Sequence, residues 1–342
     1  MKLKHYSILI CGSLSMALYV SSIDFKYPKY FPSIEYNTAN NTPSAEKVKL
    51  GRALFYDPIL SKDKTISCAS CHSPYNAFAH TDHDLSHGIN DQIGTRNAPA
   101  LFNLAWQKSF MWDGAINHLD MQALFPITHP KEMGETIEKV LDKLRNSNIY
   151  PKLFLNAFKD SIIETEKLLK ALSLFQLTLI SSNSKYDKVQ KGLEQFSVQE
   201  KKGHALFLKN CNSCHTEPLF SNYNFANNGL PMDSTLNDYG RWGITHQSKD
   251  SLLFKTPSLR NLSFTSPYMH DGRFKTLNQV LNHYIKGIEK SETLSKDLKS
   301  NILLTSNERA DIIAFLLTLN DKDFIFDHKH QFPRDLLLKP ED

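Results

Sequence analysis

Cys68-Ala-Ser-Cys71-His72 and Cys211-Asn-Ser-Cys214-His215 are one motif written twice in the same chain. Each reads C-x-x-C-H, the attachment sequence for c-type haem. The spacing has a chemical reason. Two thiols add across the two vinyl groups of one haem, and the adjoining His supplies the proximal nitrogen to iron. Zinc ribbons need two C-x-x-C knuckles about 15–20 residues apart, whereas these lie 143 residues apart. A thioredoxin-like dithiol expects a single motif in a βαβ setting, and the flanks here have helical periodicity. Disulfides alone do not call for a His after each pair. The motifs therefore predict two covalently bound haem c groups.

Working outward, the chain repeats itself around both motifs. Gly51-Arg-Ala-Leu-Phe55 precedes the first and Gly203-His-Ala-Leu-Phe207 the second. Downstream, Pro99-Ala-Leu-Phe-Asn103-Leu104 parallels Pro257-Ser-Leu-Arg-Asn261-Leu262, and Met111-Trp-Asp-Gly114 parallels Met269-His-Asp-Gly272. These pairs keep an offset of 158 residues, against 143 for the haem motifs, so the second half carries 15 extra residues, chiefly within Ser221–Asp250. Duplication on this scale means two domains of one architecture. Apolar residues at spacings of three and four predict helices over Thr136–Leu144, Ile162–Ile180 and Glu308–Leu319. Ser197-Val-Gln-Glu200 is a capping box that starts the helix leading to the second motif. No run alternates as a strand would. The predicted fold is mainly α, with two cytochrome c-like haem domains related by internal duplication and Lys185–Phe196 as their link.

Composition narrows the function classes. Hydrophobic residues make up 41% and charged residues 22% of 342, which excludes a disordered chain and an array of membrane spans. With 40 basic against 36 acidic residues, the formal charge of +4 is too balanced for a nucleic-acid binder. Residues 1–22 read as a signal peptide: Lys2 and Lys4 precede an uncharged apolar run from Ile8 to Val20. Export to the periplasm follows, with an uncleaved membrane anchor as the alternative. Cys11, the fifth Cys, lies inside this segment. Residues 24–43, carrying Pro28, Pro32 and Pro43, predict an extended lead-in to the first helix.

Seven segments then occur in a telling order: the first haem motif, Gly94-Thr-Arg-Asn-Ala-Pro99, Met111-Trp-Asp-Gly114, Glu132-Met-Gly134, the second haem motif, Lys255-Thr-Pro-Ser-Leu-Arg-Asn261 and Pro267-Tyr-Met-His-Asp-Gly272. Together they resemble the bacterial dihaem cytochrome c peroxidase family, which includes the methylamine-utilisation (MauG-like) haem enzymes. The resemblance spans roughly residues 43–325. It implies an N-terminal peroxidatic haem domain over 43–185, a C-terminal electron-transfer haem domain over 195–330 and one calcium ion between them. It also implies that Cys68, Cys71 and His72 hold the first haem, and Cys211, Cys214 and His215 the second. Glu132 and Gln122 fall where the family keeps its distal acid/base pair. Peroxide heterolysis needs one group to carry a proton from the inner to the outer oxygen and another to orient the leaving water. Trp112 falls on the inter-haem Trp, and Asn97 with the carbonyls of Thr265 and Pro267 matches the calcium ligands.

Two departures bear on chemistry. Where the family's peroxidases place an axial Met on the second haem, this chain has Tyr284, as the MauG-like branch does; His283 and Met269 are rival ligands. A phenolate ligand favours ferric iron, whereas thioether sulfur raises the potential. On the first haem, Ile89 falls where many members carry a distal His, with His87 two residues before it. His80, His83 and His87 could form a metal site, but a solvated acidic loop is the preferred reading. The expected activity is reduction of hydrogen peroxide to water with electrons from a small c-type cytochrome or cupredoxin. The alternative is a MauG-like oxidase acting on a protein residue or small molecule through high-valent haem. The resemblance also implies a homodimer.

Overall fold

The computed structural model describes residues 25–300 and 302–338, so the expected signal segment 1–22 and Cys11 lie outside the described residues. The chain is mainly helical. Its one sheet among the described residues pairs Phe225–Ala226 antiparallel with Phe254–Lys255. Two apolar clusters form the core. One surrounds Leu54, Phe55, Leu172 and Phe175; the smaller surrounds Phe207, Phe220, Ile312 and Phe315.

Each cluster grows from the same helix crossing. In the first half the helix Ala45–Tyr56 packs on Thr165–Leu177; in the second, Val198–Asn210 packs on Ser306–Leu317. Gly51 and Gly203 make the crossings possible, because a Cβ would strike the Ala171 carbonyl in one half and the Asp311 carbonyl in the other. One turn further on, Phe55 meets Phe175 and Phe207 meets Phe315, with ring centroids 5.2 Å apart in both pairs. A Gly203→Ala variant should therefore force the helices apart at a cost of ~1–3 kcal/mol. Thermal unfolding checks this, with Gly243→Ala, where the added methyl meets open space, as the unchanged control.

The duplicated segments adopt one backbone. Met111 and Met269 sit at φ 68° and 75°, and Gly114 and Gly272 at 72° and 70°. In each hairpin the amide of Phe110 or Tyr268 donates across to Ile116 or Phe274 at 2.7 Å. Asn103 and Asn261, both left-handed, tie their hairpins to the chain after the second helix, accepting from the amides of Ser181 and Asp321.

The predicted helices form as Ile137–Arg145, Thr165–Leu177 and Ser306–Leu317, shifted by one to three residues at their ends. Ile162–Glu164 stays outside the helix, because the Ile162 amide donates to Asp160 at 2.9 Å and turns the chain first. The capping box predicted at Ser197 and Glu200 forms. Lys185–Phe196 is no slack connection: Lys185–Gln190 is helical and buries Tyr186 and Asp187. Asp187 accepts two hydrogen bonds at 2.8 Å from the fully buried Arg260 and one from Tyr30 of the lead-in. The C-terminal segment crosses back, placing Phe324 and Ile325 in the first cluster. No described helix is long and apolar enough to cross a membrane.

Candidate functional site

The first haem motif is a single capped turn. Ser67 caps Cys68–Cys71, and His72 follows at its end. The second begins where Val198–Asn210 runs out at Cys211. No disulfide joins the four motif cysteines. Each His is oriented by a backbone carbonyl. His72 Nδ1 donates to Phe78 O at 2.9 Å; His215 Nδ1 lies 3.1 Å from Pro257 O and 3.3 Å from Phe220 O. Left-handed backbone at Phe78 and Phe220 turns these carbonyls towards the rings. A donating Nδ1 fixes the tautomer and leaves Nε2 as the lone-pair nitrogen, the arrangement an iron ligand needs. Burial pushes both imidazoles down to about 4, so they stay neutral.

A mostly apolar cleft of about 290 Å³ runs along the second motif. Cys211, Cys214, His215, Met269 and Tyr284 line it together with Trp112, Gln122 and Asn97. Paired thiols, carbonyl-held imidazoles and a mostly apolar cleft fit covalently attached haem.

Glu132 lies at the first motif, close enough for its charge to help burial raise the Cys71 thiol to about 11. Desolvation pushes the Glu132 carboxyl itself up to about 7. No close cation offsets that; His129 Nδ1 is 4.0 Å away. Gln122 Oε1 accepts from Gln176 Nε2 at 3.4 Å, and no hydrogen bond joins Gln122 to Glu132. Trp112 is pinned by both halves: its indole N–H donates to Asn97 O at 2.8 Å, and its carbonyl accepts from the Lys255 amide at 2.7 Å. Asn97, Thr265 and Pro267 line the same cleft. Asn97 Nδ2 donates to Asp84 O, which leaves its Oδ1 free for a cation.

Ile89 is buried against Gly134, and its amide donates to the Glu132 carbonyl. His87 stacks at 4.1 Å on the exposed His83. The first haem should therefore be high-spin as isolated, without reductive activation. Electron paramagnetic resonance checks this, and two low-spin ferric signals would refute it. The solvated-loop expectation for His80 needs correction. It is 8% exposed, with Nε2 3.2 Å from His83 Nδ1, because the loop folds back and stacks its imidazoles. Among the described residues no three His, Cys, Asp or Glu side chains converge as a metal site.

Sequence reasoning missed two features. Arg96 makes a bidentate pair with Asp238 at 2.6 and 2.8 Å and a third bond to Asp113 at 2.6 Å. It thereby anchors the 15-residue insertion beside Trp112, a pairing across 142 residues that no local signal announces. Lys255 donates to Gln107 and Ser109, and burial brings its ammonium down to about 7.

The profile described as "Di-haem cytochrome c peroxidase" matches residues 45–195. The methylamine utilization protein MauG of Methylorubrum extorquens is 38% identical over 307 residues, covering 86% of this chain and 83% of its own. Cytochrome c551 peroxidase of Nitrosomonas europaea is 32% identical, covering 81% and 80%. The crystal structure of a MauG-like protein associated with microbial copper homeostasis superposes with a TM-score of 0.81 at 31% identity, covering 91% of this chain and 99% of that one.

Proposed function

From the premise that this chain belongs to the di-haem cytochrome c peroxidase family and carries two haem c groups, we propose that it is an exported peroxidase. It reduces hydrogen peroxide to water with two electrons from a small c-type cytochrome or cupredoxin and two protons from solvent. Residues 43–185 would form the peroxide-reducing unit and residues 195–330 the electron-receiving unit, with export directed by residues 1–22. The observation that carries this reading is Glu132, a half-buried carboxyl beside the first motif held near 7. Bound haem supplies a redox-active iron at which the peroxide O–O bond can break. The chain supplies the proton management.

A group that titrates near working pH can both take and return a proton. Glu132 in its ionised form would accept a proton from incoming peroxide and return it to the departing oxygen. Gln122 would hold the leaving water through its carboxamide. Trp112, fixed by hydrogen bonds from both halves, would give the two units a common, oxidisable contact. His72 and His215 would hold the irons through Nε2. Asn97 with the carbonyls of Thr265 and Pro267 would hold calcium and so tie the halves beside Trp112.

Steady-state turnover tests the reading, with reduced cytochrome c as donor and peroxide as acceptor. The enzyme is compared as isolated and after one-electron reduction. Turnover in the isolated form is expected, and none in either state would overturn it. One observation favours a second reading, a MauG-like oxidase of a protein residue or small molecule. Tyr284 lines the same cleft as Cys211, Cys214 and His215. Peroxide consumption that leaves cytochrome c reduced would support that alternative.

A further inference from the structure

The duplication reaches across the contact between the halves. At the 158-residue offset Asn97 matches Lys255, and Trp112 matches His270. The Asn97 amide donates to the His270 carbonyl, and the Lys255 amide donates to the Trp112 carbonyl, both at 2.7 Å. Each half thus lends one backbone donor to the hairpin of the other. Backbone bonds alone would hold the two hairpins alike.

Side chains break that symmetry. The Asn97 carboxamide turns back and donates to Asp84 O in its own half. Lys255 Nζ instead crosses into the first half, where it donates to Gln107 Oε1 at 2.6 Å and to Ser109 O at 2.7 Å. It also lies 5.7 Å from the ring of Phe110. Arg241, in the insertion of the second half, donates to Asp113 O at 3.0 Å. The carbonyls of Ser109, Trp112 and Asp113 therefore all accept from the second half, and two of those three donors belong to Lys255. The indole N–H of Trp112 is spent within its own half, on Asn97 O. Where Trp112 lies relative to the second half is thus set through its backbone. An apolar side chain could fill the same space without the cost of desolvating an ammonium. What the charge adds is a pair of directional, charge-assisted bonds.

We propose that Lys255 is a positioning residue for Trp112: its ammonium and its amide together hold the Gln107–Trp112 segment in register with the second half, and so set the contact through which electrons pass between the two units. This rests on the reading of Trp112 as that contact. Lys255→Met keeps the main-chain bond to Trp112 and most of the side-chain length, but removes both crossing donors. Gln107→Leu removes one of the two acceptors and leaves Lys255 its bond to Ser109 O.

The test uses purified protein carrying both haems, with haem content verified by the pyridine haemochrome assay. Fully reduced enzyme is mixed with rising concentrations of peroxide in a stopped-flow instrument, and oxidation of the second haem is followed. The phase that scales with peroxide reports the encounter at the first unit. The limiting rate at saturating peroxide reports passage between the units. Lys255→Met is expected to keep the first and lower the second by ~10–10²-fold, the scale on which a small misplacement acts. Loss of stability or of haem content would not by itself produce that split. Hydrogen exchange read by mass spectrometry should quicken in the variant over residues 107–114 and stay as in wild type over the matching hairpin, 267–272. Gln107→Leu should lower the limiting rate in the same direction by less, which keeps the test decisive if Lys255→Met loads haem poorly. An unchanged limiting rate in fully loaded Lys255→Met, or in Gln107→Leu where that variant loads poorly, would overturn the role of Lys255, provided Trp112→Phe slows the same step. If Trp112→Phe also keeps the wild-type limiting rate, the Trp112 reading itself fails and the proposal falls with it.

Discussion

In a Glu132→Gln variant, kcat/KM for peroxide should fall by ~10²–10⁴-fold, the contribution of a positioned acid/base group. Gln keeps the size and the hydrogen-bonding oxygen but cannot take a proton. Haem content and the ferric spectrum should therefore stay as in wild type. The pH dependence carries the sign. The carboxyl must be ionised to accept a proton from peroxide, and burial raises it from 4.5 to about 7. Wild-type kcat/KM should then climb through about pH 7, and the variant's residual rate should lack that step. Stability moves the opposite way. A carboxyl raised in the folded state binds its proton more tightly there than in the unfolded chain, so its stabilising effect is full below about 4.5 and is lost as pH rises through about 7. Thermal unfolding should show Glu132→Gln gaining on wild type over that interval. A full peroxidase rate in the variant would remove Glu132 from the mechanism.

Arg260→Met should cost ~3–5 kcal/mol, the usual effect of stripping one partner from a buried ion pair. Both side chains are fully buried, and the guanidinium also lies 5.1 Å from the ring of Phe31 and 5.6 Å from that of Phe220. Removing it leaves the Asp187 carboxylate with only hydroxyl and amide donors. Burial alone would push Asp187 up, but the bonds and charge of Arg260 outweigh this and hold it below the usual carboxylate range. A depressed carboxyl contributes stability above its unfolded pKa and loses it in acid. The gap between wild type and variant should therefore persist at neutral pH and narrow only below ~4. The double variant Arg260→Met/Asp187→Asn should recover part of the loss, since a buried pair can be replaced at little net cost. Equal unfolding temperatures for wild type and Arg260→Met would show that the pair does not hold the halves together. Lead-in, link and second half meet at this one pair, so peroxide turnover should weaken with it on heating.

The haem units were legible because their signals are local. C-x-x-C-H fixes two thiols and an imidazole within five residues, and the capping box at Ser197 fixes where the second motif's helix starts. The duplicated Asn103/Asn261 and Met111/Met269 positions could be matched by eye, yet their shared left-handed backbone could not be seen in residue names. What anchors the link at Lys185–Phe196 was not legible, for the opposite reason. What buries Asp187 is Arg260, 73 residues away.

The sequence by itself determined the cofactor chemistry, the duplication and the mainly helical class, because each is written in spacings of a few residues or in a constant offset. Only the tertiary structure decided the burial that raises the Glu132 carboxyl and the closing of the insertion by Arg96 and Asp238. The physical reason is the same for both. A carboxyl's pKa depends on how much water its neighbours remove. A buried donor's partner is set by what the fold carries to within 3.5 Å, wherever it lies along the chain.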